Sequence, residues 1–323
     1  VTIDEGKHTV SIFVARGGEP VRIQPLPEPN LMGAMVSVGS GRFFTFGGTA
    51  SSLQDGVSTD AVYDYDFYAM AKNGEAAQRL SAAIPSPDGS TGRIGHTATL
   101  LGGTSTHAGT ILVAGGSDHY LSIDGTLTGQ SSASDQAHLF NPESLRFEDT
   151  APLNHARLGH TATSLPNGKV VVVGGLARQP TGVSVVSFVE VYDPTAGTWE
   201  VPEETFQSGG LFHSAARIGT TGVLSCGGID PAFRFSDTCQ IISANGAIQA
   251  ADSLASPLIH ARMTTLMDGR VLLTGGFDAS GRSFTGRFDM DFEATNEAWI
   301  YEDGTWRPLP PLKLRRAMHS TAV

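Results

Sequence analysis

Five Gly-Gly doublets, each closing a short apolar run and recurring about every 50 residues, predict an all-β fold built from repeats. The doublets are Gly47-Gly48, Gly115-Gly116, Gly174-Gly175, Gly227-Gly228 and Gly275-Gly276. They close Phe43–Phe46, Ile111–Ala114, Val170–Val173, Val223–Cys226 and Val271–Thr274. Their first glycines lie 68, 59, 53 and 48 residues apart, so one unit recurs with loops of variable length. Composition agrees: only 16% of the 323 residues are charged and 39 are glycine, which suits short strands and tight turns rather than helices or disorder.

The clearest unit is Ala156–Pro202. Leu158–Leu165 alternates as a first strand, a. Pro166-Asn167-Gly168-Lys169 is a turn by composition. Val170–Val173 is strand b, Phe188–Asp193 strand c, and Thr198–Val201 strand d after the turn Pro194–Gly197. Four antiparallel strands in a meander, repeated, make the blades of a propeller.

The same reading places blade 2 at 31–85, with strands Met32–Val38, Arg42–Phe46, Ala61–Asp66 and a region near Ala77–Ala82. Blade 3 spans 93–152 (Arg93–Leu101, Gly109–Gly115, Gln136–Pro142, Leu145–Asp149) and blade 4 spans 156–202. Blade 5 spans 210–253 (Leu211–Ile218, Val223–Cys226, Thr238–Ser243, Ala247–Asp252). Blade 6 spans 258–312 (Leu258–Leu266, Val271–Thr274, Glu297–Tyr301, Thr305–Leu309). Arg316–Val323 repeats the opening of strand a, and Val1–Asp4, Thr9–Ala15 and Pro20–Leu26 supply strands b, c and d. Residues 315–323 with 1–28 thus form blade 1, one C-terminal strand plus three N-terminal strands closing a single six-bladed ring without an open sheet edge.

The doublet after strand b, the Tyr-Asp of strand c (Tyr63-Asp64, Tyr192-Asp193) and the Trp of strand d (Trp199, Trp306) resemble the kelch repeat over essentially the whole chain. Arg157-Leu158-Gly159-His160-Thr161-Ala162-Thr163, followed by Leu165-Pro166-Asn167-Gly168-Lys169, is similar to bacterial secreted or surface-associated kelch proteins. Asn141-Pro142 and Ile300-Tyr301-Glu302 depart from the pattern. The resemblance implies a six-bladed kelch-type β-propeller with strand a innermost. It also implies an extracellular, periplasmic or cell-surface location, the cytoplasm being the alternative.

Repetition governs the reading of the polar residues. Arg93/His96, Arg157/His160 and Arg316/His319 invite a metal or catalytic role, yet residues at one place in several blades solve one packing problem. Each histidine is therefore expected between blades, bonded to backbone or a hydroxyl. The arginines Arg93, Arg157 and Arg316 are expected at the channel mouth, a positive focus for an anionic ligand on a chain of net charge -11. A phosphate cradle would need a helix after the doublets, and none follows. The tyrosines and tryptophans read as core. The acidic segment Phe288–Glu293 lacks a full calcium-loop pattern and reads as a solvated loop.

Successive connections of a meander leave on opposite ends, so the b–c and d–a loops share one rim. The b–c loops are the long ones, and recognition sits on variable loops over a rigid scaffold. The candidates there are Asp118, His119, Tyr120, Arg178, Arg234, Phe235, Arg282 and Arg287. Cys226 and Cys239 flank one such loop and stand within reach of each other if strands b and c pair; a disulfide and two buried thiols are both open.

The acidic balance argues against a nucleic-acid surface, and no stretch approaches the ~20 apolar residues that span a bilayer. With no initiator Met and no signal-like segment, the chain is expected to be a monomeric domain of a larger protein. No catalytic residue, metal or cofactor is expected. The favoured function is binding of a protein or carbohydrate through the b–c and d–a face. The alternative is a carbohydrate-active propeller enzyme, either a sugar epimerase or mutarotase or a copper oxidase resembling galactose oxidase. The oxidase would need a cysteine-modified tyrosine at its copper, whereas Tyr63, Tyr192 and Tyr301 serve strand c and Cys226 lies inside a strand.

Overall fold

The computed structural model describes residues 33–40, 42–48, 78–85, 93–117, 133–177, 182–203, 209–220, 222–283 and 292–319, and the backbone of strands at 2–3, 10–11, 13–16, 19–22, 61–66 and 178–179. Within these residues the fold is all-β. Five antiparallel four-stranded sheets each run a-b-c-d in chain order. Blade 2 is Ala34–Gly39, Arg42–Phe46, Ala61–Asp66 and Gln78–Ala83; blade 3 is Thr97–Leu100, Ile111–Ala114, Ala137–Asn141 and Arg146–Asp149. Blade 4 is Thr161–Ser164, Val170–Val173, Val189–Asp193 and Thr198–Glu200; blade 5 is Ser214–Ile218, Gly222–Cys226, Cys239–Ser243 and Ile248–Ala251. Blade 6 is Arg262–Thr265, Val271–Thr274, Ala298–Glu302 and Thr305–Pro308. The first strands of consecutive blades touch one another, so they ring a common axis.

At the N-terminus, Thr2–Ile3 pairs with Val10–Ser11 and Phe13–Arg16 pairs with Glu19–Arg22, both antiparallel. The sequence reading assigns these segments to strands b, c and d of blade 1, and here they form two separate two-stranded sheets. The remaining strand of blade 1, predicted over Arg316–Val323, lies partly outside the described residues, since 320–323 are not among them.

Strand b is a continuous apolar run because both of its faces are buried. Val170 and Val172 pack toward blade 3 with Leu112, Ala114 and Leu139, while Val171 and Val173 pack toward blade 5 with Val223 and Ile242. Phe44, Phe46, Ile111, Val113 and Phe140 fill the junction of blades 2 and 3; Leu224, Leu254, Met263, Leu273 and Tyr301 fill that of blades 5 and 6. Each fully buried Val or Leu contributes about 1.5–3 kcal/mol, so the core is distributed over junctions rather than gathered at one centre.

The doublets act at these junctions. The second glycine of each donates its N–H to a carbonyl at the head of the next blade: Gly48 to Arg93, Gly116 to Arg157, Gly228 to Leu258 and Gly276 to Arg316, all at 2.8 Å, and Gly175 to Gly210 at 2.6 Å. A Cβ on the first glycine would fall within 3.0 Å of that same carbonyl oxygen in every case. Gly174 and Gly175 also hold φ of 66° and 105°, a region that costs side-chain-bearing residues free energy.

Strand a is shorter than the alternation predicts, beginning three to four residues late in blades 3 to 6. The second or third residue of its predicted span is left-handed in each: Gly95, Gly159, Phe212 and His260, with Met318 in the matching place after blade 6. That residue breaks the a–b ladder, which resumes beyond the doublet as Ile94 with Ser117, Leu158 with Leu176, Leu211 with Ile229 and Ile259 with Phe277. The b–c loop of blade 4 contains a hairpin that the sequence did not reveal, Leu176–Gln179 with Gly182–Val185.

Steric exclusion and backbone strain can be separated. Gly115→Ala places its methyl 2.6 Å from Arg157 O, whereas Gly269, also left-handed at φ 89°, has nothing within 4 Å. Urea unfolding is expected to show a loss above about 3 kcal/mol for Gly115→Ala against about 1 kcal/mol for Gly269→Ala. Equal losses would mean that conformation alone selects glycine in the doublets.

Candidate functional site

The predicted arginines split by environment. Arg157 is fully buried, and its guanidinium donates to Glu190 Oε1 at 2.7 Å, Gly174 O at 2.9 Å, Phe188 O at 3.0 Å and His155 O at 3.2 Å. Glu190, equally buried, also accepts from Asn154 N, Asn154 Nδ2 and His155 N at 2.7–3.0 Å. Desolvation pushes the Arg157 pKa down while the Glu190 carboxylate opposes the shift. The pair survives burial because nearly every donor and acceptor around it is used. Arg93 is also buried and donates to Pro85 O at 3.1 Å and Gln136 O at 3.4 Å. Neither guanidinium is exposed: each is buried and bonded to backbone carbonyls. Arg316 is exposed and its Nε lies 3.5 Å from Leu314 O.

The histidines bridge blades. Nε2 of His160 meets Thr97 Oγ1 at 2.9 Å, that of His213 meets Thr161 Oγ1 at 2.8 Å, and that of His319 meets Thr274 Oγ1 at 2.8 Å. Each hydroxyl belongs to the preceding blade. Burial drives the pKa down to about 4 at His213 and His319 and about 3 at His96, with Arg93 adding to the shift at His96. His160 is also held well below 6.5, by burial and then by Arg157. All four are neutral at pH 7.

Tyr192 and Trp199 are core residues with polar tips that tie blade 4 to blade 3. Tyr192 Oη lies 2.7 Å from Thr150 Oγ1, and Trp199 Nε1 donates to Ala151 O at 2.8 Å. Cys226 and Cys239 face each other across strands b and c and are joined in a disulfide.

The loop-rich rim carries a second apolar layer. Ala133, Leu158, Leu176, Val185, Leu211, Ile229 and Ile259 form one buried cluster beneath the b–c loops and the heads of strand a. Phe212, Phe233, Phe235, Phe277 and Phe292 are half-buried against it. The rings form a continuous series from the axis outward: Phe212 to His260 at 4.3 Å, His260 to Phe277 at 6.2 Å, Phe277 to Phe292 at 6.2 Å and Phe292 to Phe235 at 5.5 Å. Arg282 lies over the Phe292 ring at 5.0 Å. Backbone bonds link the left-handed residues around the mouth, from Gly159 N to Gly95 O at 2.7 Å, His260 N to Phe212 O at 2.9 Å and Met318 N to His260 O at 3.1 Å.

Beside this series is a polar cleft of about 400 Å³ lined by Asp278, Ser280, Arg282, Glu293–Glu297 and Arg315. It lies between the b–c loop of blade 6 and the segment leading to Arg316. Arg315 Nη1 donates to Glu293 Oε2 at 3.0 Å and to Ala294 O at 3.4 Å.

Of the loop candidates, the structure gathers Phe235 and Arg282 around Phe292. Arg234 is turned onto Asp230 at 2.7 Å. Asp118, His119, Tyr120 and Arg287 lie outside the described residues, and so does the side chain of Arg178, whose backbone is in Leu176–Gln179. The sequence reading missed Phe212, His260, Phe277, Phe292, Asp278, Asn296, Glu297 and Arg315. A bulky residue standing where two other blades have glycine was the available signal for Phe212 and His260. Among the described residues, no group of three or more His, Cys, Asp or Glu stands in a metal-holding arrangement.

The Kelch motif family model matches residues 157–203, the fourth blade. A solved structure titled "Structure of YjhT" superposes with a TM-score of 0.66 at 16% identity, covering 91% of this chain and 87% of that one. No curated protein matches the sequence.

Two outcomes follow from the buried groups. Glu190→Gln should cost about 3–5 kcal/mol in unfolding free energy, because it strands the Arg157 charge, and a joint Arg157→Met/Glu190→Leu change should recover most of it. The unfolded chain takes up histidine protons near pH 6.5, whereas the folded chain resists until about pH 4 at His213. Stability is therefore full above pH 6.5 and falls on acidification toward 4. His213→Gln should flatten urea-derived stability against pH in that window by about 1.4 kcal/mol per unit. An unchanged slope would show that His213 does not stay neutral in the folded state.

Proposed function

We propose, from its architecture as a kelch-type β-propeller, that the chain is a non-catalytic recognition module that engages a protein or a carbohydrate through its b–c and d–a rim. The observation that carries this reading is the second apolar layer beneath that rim. Loops laid on a buried cluster are held in place, so the side chains above them are preorganised and binding costs less ordering entropy. Phe235, Arg282 and the half-buried phenylalanines supply rigid aromatic surface with a cation beside it, which suits the centre of a recognition surface. By contrast Arg93 and Arg157 are consumed within blade junctions and support no ligand role.

The alternative of a copper oxidase resembling galactose oxidase loses support, because both cysteine sulfurs are held in the disulfide and neither can modify a tyrosine. A sugar epimerase or mutarotase would need titratable groups converging at one point. Three of the histidines that the repeat provides, His160, His213 and His319, are instead spent on threonine hydroxyls between blades, and His96 is buried. The same disulfide favours a location outside the reducing cytoplasm, in the periplasm, at the cell surface or beyond it.

A glycan array and a peptide display library, each probed with the wild type, Phe235→Ser, Arg282→Glu and the opposite-rim Met267→Ser, test the proposal. Met267 is almost wholly exposed on the a–b turn of blade 6. Binding is expected to fall at least about tenfold in the first two variants and to persist in the third. Ligand turnover in a sugar-anomerisation assay, or binding that only Met267→Ser abolishes, would overturn it.

A further inference from the structure

The cleft in blade 6 has a composition that selects among ligands. Several of its polar side chains make a hydrogen bond through one atom. Asp278 Oδ1 accepts from Ser280 N at 2.9 Å, Glu297 Oε2 accepts from Trp299 Nε1 at 3.1 Å, and Asn296 Nδ2 donates to Leu312 O at 3.2 Å. Thr295 Oγ1 accepts from Glu297 N at 3.1 Å. Those contacts use one atom of each side chain, and Asp278, Asn296 and Glu297 all line the cleft. Arg282 is held by the Phe292 ring, and Arg315 by Glu293.

Charge in the cleft is nearly balanced, with two guanidiniums against three carboxylates. Arg315 is already neutralised by its partner, so a polyanion would meet no surplus of positive charge. An ammonium group would need acceptors alone, yet Ser280, Thr295 and the arginine N–H groups add donors throughout the lining. Interleaved donors and acceptors match vicinal hydroxyls, each of which both gives and takes a hydrogen bond. Phe292 and Phe277, half-buried beside the cleft, add apolar ring surface at its margin, with Arg282 over Phe292. A volume of about 400 Å³ lies within the size range of small-ligand sites.

We infer that this cleft is a saccharide subsite that takes an uncharged pyranose ring, with further rings of the same glycan running along the Phe292, Phe277 and His260 series toward the axis. The inference rests on the recognition reading above and narrows its ligand to a neutral glycan, engaged at the periphery of the rim first.

Isothermal titration and Trp299 fluorescence on the full chain test it, with cellotriose, maltotriose, a galactose-terminated trisaccharide and tri-N-acetylglucosamine at about 1 mM. Trilysine serves as the cationic probe. At least one trisaccharide is expected to bind and to shift Trp299 emission. Asn296→Ala/Glu297→Gln should weaken it roughly tenfold and Phe292→Leu by a similar factor, with unfolding midpoints close to wild type and Met267→Ser unchanged. Three results would overturn the inference. These are no neutral trisaccharide binding, binding indifferent to the cleft variants, or trilysine alone binding in a way that Glu297→Gln abolishes. In the second case, loss of glycan binding in Phe235→Ser would leave the recognition reading standing while removing this subsite. In the third, the rim would remain a recognition surface for a basic protein segment.

Discussion

Everything in this propeller depends on one contact, the glycine N–H after strand b meeting a carbonyl at the head of the following blade. The contact sets how closely two blades approach, and that approach decides which side chains fit between them. A methyl group at the first glycine would collide with the same carbonyl, so the spacing tolerates no larger residue. The inter-blade cores, the histidine bridges and the buried Arg157–Glu190 pair all occupy the gap that this hydrogen bond fixes. Loops beyond it can lengthen freely, because the doublet has already closed the junction beneath them.

The fold was largely legible because its code is local and repeated. Strand b reads as an unbroken apolar run since neighbours cover both faces, and Val170–Val173 and Val271–Thr274 lie where their composition places them. Strand a read too long. Its opening alternates correctly, but the left-handed residue at Gly95, Gly159, Phe212 or His260 interrupts pairing, and hydrophobic period carries no information about φ.

The site was less legible for a different reason. Arg157 and Arg282 look alike in sequence, each near a blade head or a long loop. One lies opposite Glu190 in a sealed gap, the other over Phe292 at the surface. Only the fold distinguishes a cation sealed inside a blade junction from one at the surface. The aromatic series was hidden because its five members come from four separate segments of the chain.

The junction bond also has a direction in time. In every pair the donor glycine precedes its acceptor in the chain: Gly48 before Arg93, Gly116 before Arg157, Gly175 before Gly210, Gly228 before Leu258 and Gly276 before Arg316. A ribosome therefore releases each donor before the carbonyl that satisfies it. At every stage of synthesis the newest blade carries an unmet N–H on its open side, and the arrival of the next blade quenches it. The order of donor and acceptor in the chain means that no junction can close before the following strand a has been made.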